Sequence, residues 1–128
     1  MGLAVRAATL DDHGSAMFLL DGAMLDADAE AVRRRIDAGS VFVAVAGGDP
    51  DGRVVGVCVL DGREIEQIAV RRERRGRGVG TALVEAVDSR VDGELTAEFR
   101  ESVRPFYDSL GFEVREAETE GRFRGVLR

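Results

Sequence analysis

Between residues 41 and 70 the chain sets three strand-length apolar runs in a row, each closed by a turn or loop. Val41–Ala46 ends in Gly47-Gly48-Asp49-Pro50-Asp51-Gly52, and the run at 54–60 ends in Asp61-Gly62. Glu64–Val70 follows and runs straight into a loop of arginine and glycine. The first two runs predict an antiparallel hairpin, because a Gly/Pro/Asp loop of this length returns the chain beside itself. The third alternates, with Ile65 and Gln67 expected on one face and Glu66 and Ile68 on the other.

Helical spacing brackets these strands. Before them, residues 3–8 read as a short strand and Thr9 as a helix cap with Asp11 and Asp12 behind it. Ala16, Met17, Leu19, Leu20, Ala23 and Met24 recur at helical spacing, and a second helix is predicted at 29–38, stopped by Gly39. After the strands, Leu83, Val84, Val87 and Val91 form one stripe of a helix at 81–91. A strand at Leu95–Arg100, a short helix at 103–110 and a strand pair at 112–117 and Arg122–Leu127 complete the order βααβββαβαββ. That order predicts one α/β (α+β) domain over residues 1–128. Its mixed central sheet has about seven strands flanked by about four helices.

Composition excludes several chemistries. All 18 basic residues are arginine, so there is no lysine for a Walker A loop or a Schiff base. One histidine, His13, and one cysteine, Cys58, give no ligand cluster, so no metal is expected. Cys58 lies between Val57 and Val59 and reads as a buried core thiol. No run of about 18 apolar residues exists, so no membrane span is expected, and the reading is cytoplasmic. The net charge of −6 with no lysine fits either adaptation to high salt or an arginine-favouring GC-rich genome.

The charge is not spread evenly. Residues 64–80 hold 5 Arg and 3 acids, net +2, and they contain Arg71-Arg72-Glu73-Arg74-Arg75-Gly76-Arg77-Gly78-Val79-Gly80-Thr81. Three glycines at every second position let the backbone approach a ligand, and the next helix starts there with its N–H groups outward. That is an anion site suited to phosphate or pyrophosphate, although the spacing is not the dinucleotide fingerprint. A flexible turn with a solvated basic rim is the plainer reading. Nucleic-acid binding through the arginines is disfavoured by the −6 total and by the lack of a second basic tract.

Arg75-Gly76-Arg77-Gly78-Val79-Gly80 resembles the acetyl-CoA pyrophosphate loop of the GNAT superfamily of N-acetyltransferases. Ile65 to Val70 resembles that family's central strand, and Phe106-Tyr107-Asp108-Ser109-Leu110-Gly111-Phe112 its second signature. The resemblance implies transfer of acetyl from acetyl-CoA to a primary amine by direct attack in a ternary complex. It implies Arg75, Gly76, Arg77, Gly78, Val79, Gly80 and Thr81 at the pyrophosphate, Ile68 as a backbone donor to the thioester, and Val70 beside the pantetheine arm. Tyr107 holds the family's general-acid position. Glu66 is the candidate base, with Glu64 behind it; an amine of pKa about 10.4 costs roughly 4.6 kcal/mol to deprotonate at pH 7. Many members carry an Asn before the tyrosine; here Phe99 to Pro105 has none, and Ser102 or an arginine is expected in its place. The acceptor is expected to be a small-molecule or peptide amine. The acids in residues 25–30 would favour a cationic one. A homodimer is the expectation from the family. A catalytically silent acyl-CoA-binding or regulatory domain on the same fold is the alternative.

Overall fold

The computed structural model describes residues 2–23, 25–47 and 52–128. Met24 of the expected first-helix stripe, and residues 48–51 of the expected hairpin loop, lie outside the described residues. Seven strands form one sheet in the order β1-β2-β3-β4-β5-β7-β6. They are β1 (Leu3–Ala7), β2 (Val41–Ala46), β3 (Val54–Asp61), β4 (Glu64–Val70), β5 (Leu95–Arg100), β6 (Glu113–Glu116) and β7 (Arg122–Leu127). Helices α1 (His13–Gly22), α2 (Ala29–Asp37), α3 (Val79–Asp88) and α4 (Arg104–Ser109) complete the α/β fold expected from the element order.

Each face of the sheet buries its own core, as period-2 strands require. On one face α1 and α2 cover Val43, Val45, Val57, Val59 and Ala69. On the other, α3 and α4 cover Val55, Cys58, Leu60, Ile65, Leu95, Ala97 and Phe99. The α1 end is fastened by Asp12, which is buried. Its carboxylate accepts from both Nη atoms of Arg6, at 2.7 and 3.1 Å, and from the Thr9 N–H at 2.8 Å. Thr9 therefore caps a single 3-10 turn at Leu10–Asp12 that leads into α1 rather than α1 itself. The lone histidine is used locally: His13 Nε2 donates to Ala29 O at 2.9 Å and ties the start of α1 to the start of α2.

Two departures from regular pairing shape the centre. In β3–β4, Val59 pairs with Gln67 and Leu60 with Ile65, so Glu66 is an extra residue, a β-bulge. The expected alternation fails there. Ile65 and Ile68 face the same core, that of α3 and α4, instead of opposite ones. Next, β4 and β5 pair in parallel only at Glu64↔Thr96 and Ile65↔Ala97. Beyond those residues the strands part, and among the described residues no strand lies beside the outer edge of β4 from Glu66 to Val70.

Candidate functional site

The parting strands open a cleft of about 450 Å³. Its walls are Glu66, Gln67 and Ile68 of β4, and Glu98, Phe99 and Arg100 of β5. Phe106 and Tyr107 of α4 enter from one face of the sheet, and Ala23 and Leu25 from the other. The cleft is therefore reached from both faces. Ser102 lines it too, close to where the family's Asn was missed. Of the acidic 25–30 segment only Leu25 reaches the cleft. Asp28 is instead the cap of α2, accepting from the Glu30 N–H at 3.2 Å.

Tyr107 is fixed by aromatic contacts on three sides. It stacks on Phe99 at 4.2 Å between centroids and meets Phe106 and Phe112 edge-on at 5.0 and 5.1 Å. The ring is buried, and its hydroxyl makes no hydrogen bond with another described residue. No buried polar side-chain atom lacks a partner among the described residues, so that hydroxyl opens onto the cleft. Burial, with a smaller effect from the Cys58 thiol, pushes the Tyr107 phenol above its ordinary value of 10. The group thus stays protonated at any ordinary pH.

Glu66 lines the same cleft from its bulge and is exposed. Its Oε2 lies 3.3 Å from Arg35 Nη2 of α2. Arg35 also donates to Leu60 O at 2.7 Å and lies 3.5 Å from Asp61 Oδ1. One guanidinium therefore fastens α2 to the bulge and holds the Glu66 carboxylate beside the opening. Sequence reading missed Arg35, because nothing local links it to a residue 31 positions away. Glu64 sits at the paired end of β4 rather than in the cleft.

The arginine–glycine loop ends where α3 begins, two residues before the predicted helix start. Gly78 caps α3 with φ +83°, and Gly76 also has a positive φ of +74°. A Cβ on either would meet nothing within 4 Å, so both face open space. The first α3 backbone bond runs from the Ala82 N–H to Gly78 O, which leaves the N–H groups of Val79, Gly80 and Thr81 without intrahelical acceptors. Two left-handed residues beside free N–H groups make a concave anion cradle at the positive end of the helix. Gly80, whose N–H is one of these three, also meets a packing demand. Its Cβ would come within 3.1 Å of the Phe106 ring, so it is glycine to let α4 approach α3.

The loop arginines divide by role. Arg71 donates to Val54 O through Nε and Nη2, at 3.3 and 3.1 Å, and Arg75 Nε to Val70 O at 3.3 Å. Both brace the loop against the sheet. Arg74 and Arg77 instead border a shallow depression beside Val79, shared with Arg53. Of the cofactor-site residues named from sequence, the structure gathers Arg75 to Thr81 in the loop and first turn of α3. Ile68 and Val70 lie on the freed stretch of β4, and Ile68, Glu66 and Tyr107 meet at the cleft. Among the described residues no His/Cys/Asp/Glu group could hold a metal, and no helix is long and apolar enough to cross a membrane.

Residues 11–127 match the family model described as an acetyltransferase (GNAT) domain. A GNAT-family acetyltransferase from Bacillus cereus is 20% identical, with TM-score 0.78 and all of both chains covered. A Mycobacterium tuberculosis protein solved in complex with CoA and NLQ is also 20% identical, with TM-score 0.79 over 97% of this chain and 98% of that one. Ard1 from Thermoplasma volcanium is 19% identical, with TM-score 0.75 over 100% and 97%. These three are likenesses of fold. A search of curated proteins gives no match.

Proposed function

The chain belongs to the GNAT acetyltransferase domain family, and from that premise we propose that residues 1–128 act as one N-acetyltransferase domain, moving acetyl from acetyl-CoA to a primary amine while both are bound. The observation that carries this reading is the meeting, at one cleft, of the freed edge of β4 and a buried tyrosine with an open hydroxyl, with the α3 cradle adjoining through Gly80, which packs on the cleft residue Phe106. The cradle fits a pyrophosphate: it offers open space at Gly76 and Gly78, and the free N–H groups of residues 79–81. Arg74 and Arg77 stand beside it and add positive charge.

Acetyl-CoA supplies the acyl group as a thioester. The rest is work for this chain's own groups. Backbone N–H groups on the freed edge of β4, that of Ile68 first among them, donate to the thioester oxygen as it gains charge. Val70 borders the pantetheine arm. Glu66 takes the proton that the attacking amine must lose, directly or through water. Tyr107 gives a proton to the departing thiolate, and its raised pKa keeps that proton in place until it is needed.

The test follows free thiol while a panel of amines is offered with acetyl-CoA. Amine-dependent thiol release, reduced at least tenfold in Tyr107→Phe with CoA affinity unchanged, supports the reading. Tight CoA binding with no release for any amine would leave an acyl-CoA-binding domain instead.

A further inference from the structure

Arginines gather on one open face of the sheet, and the row they form starts at the cleft. On β5 and β7, Phe99 and Phe123 face the core under α4, so Glu98, Arg100, Arg122 and Arg124 face the opposite side, the side of α1 and α2. Arg115 of β6 joins them, because it pairs with Arg124. Arg100, Arg115 and Arg124 are exposed.

On this face four guanidiniums meet two carboxylates of the same strands, Glu98 opposite Arg124 and Glu113 two residues from Arg115, and Glu113 is already held by Arg128. Glu98 lies 3.5 Å from Arg122 Nε. Arg100, Arg115 and Arg124 make no ion pair with any described residue. Moreover, the register sets arginine directly opposite arginine twice, at Arg100↔Arg122 and Arg115↔Arg124. Like charges in that position oppose each other and destabilise a sheet. A chain of net −6 that places unpaired like charges side by side, at the mouth of its cleft, presents a surface complementary to an anion.

We propose that this arginine row docks an acidic peptide whose amine enters the cleft. The inference rests on the acetyltransferase reading and names its acceptor class. Arg100 and Arg122 line the cleft itself, within reach of a carboxylate next to the amine. Arg124 and Arg115 lie further out, one strand spacing apart. From Arg100 to Arg115 is about 12 Å, the diagonal of two strand spacings and two residues, which about four residues of extended peptide span. A free amino acid reaches only the inner pair. No aromatic residue interleaves the arginines on this face for bases to stack on, which disfavours a nucleic acid as the anion.

The experiment uses the full chain with CoA and peptides labelled at the C-terminus. Each has a free N-terminal amine followed by three acidic, three neutral or three basic residues. Anisotropy should show the acidic peptide bound about tenfold tighter than the neutral one, with the difference shrinking as salt rises. The double variant R115E/R124E should erase the preference while leaving acetyl transfer to the neutral peptide unchanged. Equal binding of all three peptides, or a preference that survives R115E/R124E, overturns the proposal. So does an oligonucleotide that displaces the acidic peptide, or free aspartate accepting acetyl as well as the acidic peptide does. Binding is read without turnover. Absence of transfer to every amine therefore refutes the acetyltransferase reading, while absence of charge preference in active protein refutes only the docking.

Discussion

Replacing Gly78 by Asp puts a charge into the α3 cradle with little disturbance of the fold, which makes it the sharpest probe of that site. Gly78 has φ +83°, and a Cβ there meets nothing within 4 Å. The left-handed backbone costs an ordinary side chain about 1–2 kcal/mol, and Asp and Asn tolerate it better than most. As helix caps Asp and Asn gain only a few tenths of a kcal/mol over glycine. The net cost is about 1 kcal/mol for either variant, so the melting temperature of the free protein should fall by only a few degrees.

Binding is another matter. A phosphate resting on the N–H groups of residues 79–81 would lie about 5 Å from the new carboxylate. At an effective dielectric of about 20, two unit charges at that distance repel by about 3 kcal/mol. Gly78 is exposed, and salt and solvent would reduce this to about 1.5 kcal/mol, or about tenfold in affinity. Gly78→Asn has the same size and no charge, so the difference between the two variants isolates the electrostatic part. Calorimetric titration with CoA should give Gly78→Asp at least tenfold weaker than Gly78→Asn. Equal affinities for the two would refute the cradle, whatever the activity assay shows.

Further outcomes follow from packing and protonation. In Gly56→Ala the new Cβ would lie 2.7 Å from Val79 Cγ1, at the first residue of α3. Val79 is buried and stiff, so the variant should lose about 1–3 kcal/mol in denaturant melts and bind CoA more weakly, whereas Gly76→Ala should not be overpacked. Hydrogen bonds from Arg6, and after them from Thr9, hold the Asp12 carboxyl below its ordinary 3.8 against the opposing effect of burial. Its contribution is present above that value and lost as pH falls through the lower folded one. Stabilities of the wild type and Asp12→Asn should therefore differ by about 1–3 kcal/mol at neutral pH and converge in acid. Burial pushes the Cys58 thiol up to about 12, so thiol reagents should label it only after unfolding, and thiol release in the transfer assay should report CoA alone. The phenol of Tyr107 is pushed up as well, so the pH–rate profile should show no tyrosine ionisation below pH 10.

What the sequence discloses here is what short-range patterns decide. The bounds of β2, β4, β5 and β7 are readable residue by residue, because apolar runs and turn signals act within the segment itself. The cradle is readable because Gly76 and Gly78 need positive φ wherever the loop is placed. The cleft is not readable, because it arises between strands. The bulge at Glu66 exists only against β3, and the parting after Ile65 only against β5. Arg35 reaches Glu66 across 31 residues, and Gly80 is glycine on account of a ring 26 positions on.

The charge pattern shows the same limit. Counted along the chain, residues 81–128 hold 7 Arg and 11 acids, net −4, and residues 64–80 stand out as the only positive stretch. Strand alternation re-sorts those charges. Arg100 and Glu98 are two apart and share a face; Arg122 and Arg124 are two apart and share the same one; Arg115 arrives by pairing with Arg124. The acids are answered in other ways: Glu113 shares that face but is held by Arg128, which also holds Glu94, and Asp108 lies on α4 beside Arg104. An acidic segment thus builds a basic face, and no window sum along the sequence could reveal it. Net charge per segment therefore argues against an anionic partner only where the segment is not a strand. Here the partner's sign has to be read from the register.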